Sequence, residues 1–131
     1  MTEPLPKSPS ERELAEMLAK HLADQKDWQR RAAQAQAKAA QAYARLLRIA
    51  EASDSGQARR VAVFLAATQN GRDFPFDLFA LRGLDVAVSD DMLLCIDALR
   101  WGKSDLGNLV PDGFSRVGAV IQQWGLQGLS K

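Results

Sequence analysis

The chain has 131 residues, 47% of them hydrophobic, with 17 basic and 16 acidic side chains and a formal net charge of +1. A balance that even excludes the single-sign field that steers a whole protein to nucleic acid or to a membrane surface. The length suits one domain plus an appendage, and the lone cysteine, Cys95, excludes an intrachain disulfide.

Residues 1–8 carry Pro4, Pro6 and Lys7 and are expected to be a disordered lead-in. They lack the apolar core of a secretory signal, and no apolar run in the chain approaches the roughly 20 residues needed to span a bilayer. Cys95 sits in the apolar string Leu93-Leu94-Cys95-Ile96, where a free thiol packs like a small hydrophobe and suits a reducing compartment. A cytoplasmic location without membrane contact is therefore expected.

Ser8-Pro9-Ser10-Glu11 is a helix start: Ser8 as cap, Pro9 at the first helical position and Glu11 three residues after the cap. Ser10 with Glu13 repeats the box two residues later. From Ser10 to Ser55 there is no Gly and no Pro, and the stretch is dominated by strong helix formers. The composition predicts one helix over 9–52, about 65 Å long, with Asp24-Gln25-Lys26-Asp27 as the place where it would break. Shorter helices are expected over 57–69, 85–101 and 112–124, with a helical turn at 77–82. On the third, Val88, Met92, Cys95, Ile96 and Leu99 are expected to face inward; on the last, Phe114, Val117, Ile121 and Trp124. Trp101 is assigned to the core as well. No segment alternates with a period of two, so no sheet is predicted.

Leu14, Leu18, His21, Gln25, Trp28, Ala32, Ala35, Ala39, Ala42, Leu46 and Ile49 are spaced four and three residues apart without a slip, which is a heptad seam. A globule of the remaining 75 or so residues has a radius of gyration near 11 Å, so a helix of this length cannot lie wholly against it. The expected cover is a second copy of the chain, in a coiled coil; a solvated single helix and a folded-back hairpin are the alternatives. His21 on this seam is expected to fix register rather than to ligate or catalyse.

Between residues 30 and 48 the charges are all basic: Arg30, Arg31, Lys38, Arg45 and Arg48. Arg31, Lys38 and Arg45 fall seven apart and line one edge of the helix, a spacing that can follow a phosphate backbone. The density is below that of a dedicated basic region, and alanine stands where base-reading side chains would be. Elsewhere, Arg59 and Arg60 occupy a first helical turn, where the helix dipole disfavours cations. Asp90 and Asp91 are their expected internal partners, and an anion bound at Ser55-Gly56 is the functional alternative. Phe74, Phe76 and Phe79 either anchor a loop to the core or form an exposed patch. No nucleotide-binding or hydrolase motif is present, Cys95 has no histidine partner in the sequence around it, and no metal-ligand spacing surrounds His21.

Ser55-Gly56-Gln57-Ala58-Arg59-Arg60-Val61-Ala62 with Phe64-Leu65, then Phe76-Asp77-Leu78, then Asp90-Asp91-Met92-Leu93, resembles an uncharacterised family of small proteins. That family is encoded on conjugative plasmids and integrative elements of proteobacteria, and the resemblance covers roughly residues 53–125. It implies a bacterial mobile-element setting and transfers no activity and no catalytic residue.

The sequence thus predicts an all-α protein: a lead-in (1–8), a long alanine-rich helical arm (9–52) and a compact bundle of short helices (53–131). The expected function is a non-catalytic interaction or adaptor protein, homodimeric through the arm, with a further host- or element-encoded protein as partner. A nucleic-acid-binding accessory protein using the basic edge is the alternative. Neither reading calls for a cofactor or a metal.

Overall fold

A computed structural model describes residues 10–130. The lead-in over 1–8, with Ser8 as cap, and Pro9 as first helical position lie outside the described residues. These consist of helices and turns without a strand: α1 (Glu11–Ala52), α2 (Gly56–Gln69), α3 (Val86–Leu99) and α4 (Gly113–Gln123), with short 3₁₀ helices at Leu78–Gly83 and Leu106–Leu109. They divide into two units, residues 10–31 and residues 32–130. Residues 32–52, expected in the arm, therefore form part of the compact unit.

Several helix boundaries have a chemical cause. Ser10 opens α1, its Oγ accepting from the Glu13 backbone N–H at 3.2 Å. The helix runs unbroken through residues 24–27, where Arg30 donates to Asp27 three residues earlier. Ser55 caps α2 through Ala58 N–H, and Asn70 ends it. Asp85 precedes α3 without capping it through its side chain; its backbone N–H and carboxylate are both held by the Gln57 amide.

In the compact unit, α1 lays a mainly small face into the core. Ala32, Ala35, Ala39, Ala42, Tyr43, Leu46, Leu47 and Ala50 are all buried, most of them with no exposed surface. From Ala39 onward they join one cluster with Val61, Ala62, Phe64 and Leu65 of α2, Val88, Met92, Cys95 and Ala98 of α3, and Val117 and Val120 of α4. Alanine permits close backbone approach, and the larger side chains of the short helices fill the interior to normal packing density.

Polar contacts hold the far end of α1 in place. Its last carbonyls have no intrahelical donor. Trp124 Nε1 donates to Ala50 O at 2.8 Å, and the Gln123 amide reaches Ala50 O and Glu51 O at 3.4 Å. Arg116 forms a two-pronged pair with Glu51, 3.0 and 2.6 Å, which holds the Glu51 carboxyl below its ordinary pKa range. Inside the core, Thr68 gives its hydroxyl proton to Leu65 O at 2.6 Å, so Tyr43 is the donor in the 2.8 Å bond between the two hydroxyls. Burial pushes the Tyr43 phenol up to about 12, which keeps it protonated and available as that donor.

Several side chains expected in the core are not there. On α3, Val88, Met92 and Cys95 are buried, but Ile96 and Leu99 are 38% and 43% exposed. The helix turns Ala98 inward in their place, because its buried stripe runs 88, 91/92, 95, 98. Phe114 is also exposed, while Val117 is buried and Ile121 and Trp124 are half-buried against the core. Trp101 is likewise half-buried.

The entry to α4 depends on glycine. A Cβ at Gly113 would stand 2.1 Å from Gly107 O, backbone against backbone, whereas a Cβ at Gly118, within α4, would meet nothing within 4 Å. Gly113→Ala is expected to destabilise the fold by about 2 kcal/mol through overpacking. Gly118→Ala is expected to stabilise it by about 0.5–1 kcal/mol through helix propensity. Chemical denaturation of the two variants measures both, and the signs should be opposite.

Candidate functional site

Residues 11–31 form a helical segment whose side chains are exposed almost without exception. Two ion pairs lie along it: Arg12 stands 3.5 Å from Glu16, and Arg30 pairs with Asp27. Its apolar residues are not covered. Leu14, Met17, Leu18, Leu22 and Trp28 are between 47 and 61% exposed. Leu14, Leu18, His21, Gln25 and Trp28 keep the four-three spacing of the seam, and Met17 and Leu22 widen it by flanking Leu18 and His21. His21 and Gln25 are exposed like their neighbours. Five large apolar side chains in about six turns, all open to solvent, constitute a patch rather than scattered surface residues.

The remaining seam positions have a different environment. Ala32, Ala35, Ala39, Ala42 and Leu46 are buried, and Ile49 packs against the chain's own core. The seam therefore divides at Arg31. Up to Trp28 it offers a surface, and from Ala32 onward the compact unit already fills it.

The basic edge is interrupted in the same region. Arg45 donates from Nε and Nη2 to the two carboxylate oxygens of Asp91, at 2.9 and 2.8 Å. Arg30 is paired with Asp27. Arg31, Lys38 and Arg48 are exposed. Arg30 and Arg45 are thus matched by carboxylates of the same chain, which lowers the charge left to release counterions from a phosphate backbone.

The expected pairing of Arg59 and Arg60 with Asp90 and Asp91 is not made. Asp91 is taken by Arg45, and its carboxylate is nearly buried between α1 and α3, where the two-pronged guanidinium fits it. Asp90, one residue before it, is exposed. Arg59 instead reaches Trp124 O at 3.4 Å, and Arg60 reaches Gly83 O at 3.2 Å. The three phenylalanines separate as well. Phe76 meets Phe64 edge to face at 5.3 Å, Phe74 is half-buried, and Phe79 is exposed beneath the Arg82 guanidinium.

Burial, with the Asp91 charge adding to it, pushes the Cys95 thiol up to about 12, and so suppresses the nucleophilic thiolate. Among the described residues no group of three or more His, Cys, Asp and Glu is placed to hold a metal ion. No described helix is long and apolar enough to cross a membrane.

A helical chain with an exposed apolar stripe defines a class broadly, as a helical protein of unassigned activity. More particularly, it belongs to DUF7673, a family of unknown function, whose model matches residues 40–125. The match takes in α1 from residue 40, where Ala42, Tyr43, Leu46, Leu47 and Ala50 are buried, and does not include residues 11–31. No curated protein and no solved structure matches the chain.

The Arg45–Asp91 pair carries a test of the packing between α1 and α3. Arg45→Ala leaves a nearly buried carboxylate unpaired and is expected to lower the melting temperature. Adding Asp91→Ala removes the stranded charge, so the double variant is expected to melt above Arg45→Ala alone. Differential scanning calorimetry of both variants checks the order.

Proposed function

We propose that this protein is a non-catalytic interaction protein that self-associates through residues 11–31 of α1. One observation carries the reading: the stripe of Leu14, Met17, Leu18, Leu22 and Trp28 lies exposed on a helix whose continuation is buried. Packing two such stripes together removes apolar surface from water at about 25 cal/mol per Å². The four-three spacing is the one that lets knobs of one helix enter holes of another. His21 and Gln25, at seam positions, favour pairings in which each finds a polar partner and disfavour slipped registers.

The adaptor role follows from the division of labour along α1. The part of α1 from residue 40, within the family match, packs into the compact unit, and residues 11–31, outside the match, present the apolar stripe. The bacterial mobile-element setting and the cytoplasmic location belong to this reading, as does a second protein, host- or element-encoded, as the partner of the assembled dimer.

Full-length Leu14→Glu/Leu18→Glu tests it. Both positions are exposed, so the substitution is expected to leave the compact unit folded and its stability within about 0.5 kcal/mol of the wild type. The wild type is expected to have the mass of a dimer by light scattering and the variant that of a monomer. Equal masses for the two proteins would contradict the reading.

A further inference from the structure

Apart from α1, the first two turns of α2 face a second element across a cavity of about 440 Å³. Gly56, Arg59, Arg60 and Val63 form one wall; Pro75, Phe76, Asp77 and Ala80, from the loop and 3₁₀ helix that follow α2, form the other. The volume lies within the range of small-molecule sites. Its chemistry is divided in two: an apolar lining of Val63, Pro75, Phe76 and Ala80, and a pair of guanidiniums beside it.

Both walls are fixed. Phe76 is braced edge-on by Phe64 of the core. Arg60 lies over Gly83 so closely that a Cβ there would sit 2.6 Å from Nη1, and its guanidinium is tied to Gly83 O. Arg59 is steadied on the other side by Trp124 O. These carbonyls each take one donor of groups that carry five, and among the described residues neither arginine forms an ion pair with a carboxylate. Asp77, the acid on the cavity wall, uses Oδ1 to cap the 3₁₀ helix through Phe79 N–H. The lining therefore carries a net positive charge beside an apolar surface, with guanidinium donors still unused.

We propose that this cavity binds a small amphiphilic anion, a carboxylate or phosphate group on an aromatic or branched apolar body. The anionic head accepts from Arg59 and Arg60, a charge-assisted contact that guanidinium geometry favours. The body lies against Val63, Pro75, Phe76 and Ala80 and displaces water from them. A bare inorganic anion would use only the cationic half of the site, and a neutral aromatic only the apolar half. The proposal is independent of self-association through α1.

The test is titration of the full-length, isotope-labelled protein with four probes, read from its amide resonances: phenylacetate, phenyl phosphate, inorganic phosphate and benzyl alcohol. At least one of the first two is expected to move the signals of Gly56, Val63 and Ala80 in a saturable way. The comparison between them tells a carboxylate site from a phosphate site. Inorganic phosphate and benzyl alcohol are each expected to bind about tenfold more weakly or less, the difference made by one lost good contact. Arg60→Gln is expected to weaken binding about tenfold, while Lys38→Gln leaves it unchanged. Ala80→Phe keeps both arginines, fills the apolar half and is expected to abolish saturation, so the result does not hang on one variant. The absence of saturable shifts with either amphiphilic anion at millimolar concentration would overturn the proposal. So would equal binding of inorganic phosphate, or shifts that survive both Arg60→Gln and Ala80→Phe.

Discussion

One helix has to satisfy two apolar faces at once. From Ala32 to Ala50 the buried face of α1 is largely alanine, narrow enough for α2, α3 and α4 to bring their larger side chains against its backbone. Tyr43, Leu46 and Leu47 supply the bulk that alanine lacks, and Tyr43 ties α1 to α2 through the Thr68 hydroxyl. Because that face is consumed within the chain, it has nothing left to offer a partner. The stripe over residues 11–31, made of leucine, methionine and tryptophan, has the opposite character: more apolar area on each side chain, about half of it exposed. The functional reading rests on this contrast.

Much of the architecture was legible because it depends on local rules. The absence of glycine and proline from Ser10 to Ser55 predicts α1 as one helix, and Ser55-Gly56, Asn70 and the glycines after Leu99 mark where the later helices begin and end. The seam was legible as spacing but not as environment. Leu14 and Ala42 obey the same heptad, and periodicity alone does not say whether the covering surface comes from the same chain. Residue size held the missing signal: the seam changes from large side chains to alanine between Trp28 and Ala32, where the environment changes. The same reasoning explains α3. It is apolar on more than one side, so its sequence did not single out Ile96 and Leu99 as the exposed pair.

Charge pairing was the least legible feature. Arg59 and Arg60 looked unbalanced and Asp90-Asp91 looked available, but pairing depends on which helix faces which. Arg45, read as part of a basic edge, sits on α1 opposite Asp91 and takes it with two hydrogen bonds. The same choice leaves the two arginines of α2, among the described residues, with backbone carbonyls as partners, beside a cavity. Tyr43, the sole tyrosine, and Trp124, whose indole satisfies a terminal carbonyl of α1, were also missed as polar anchors. Their hydroxyl and N–H groups, which need partners when buried, were the available clue.

The most direct measurement is sedimentation equilibrium of the unmodified full-length protein from micromolar to millimolar concentration. The account predicts a mass that rises with concentration and levels off at two chains. A single-chain mass across that whole range would mean that the leucine and tryptophan edge of α1 stays in water, contradicting the account at its centre.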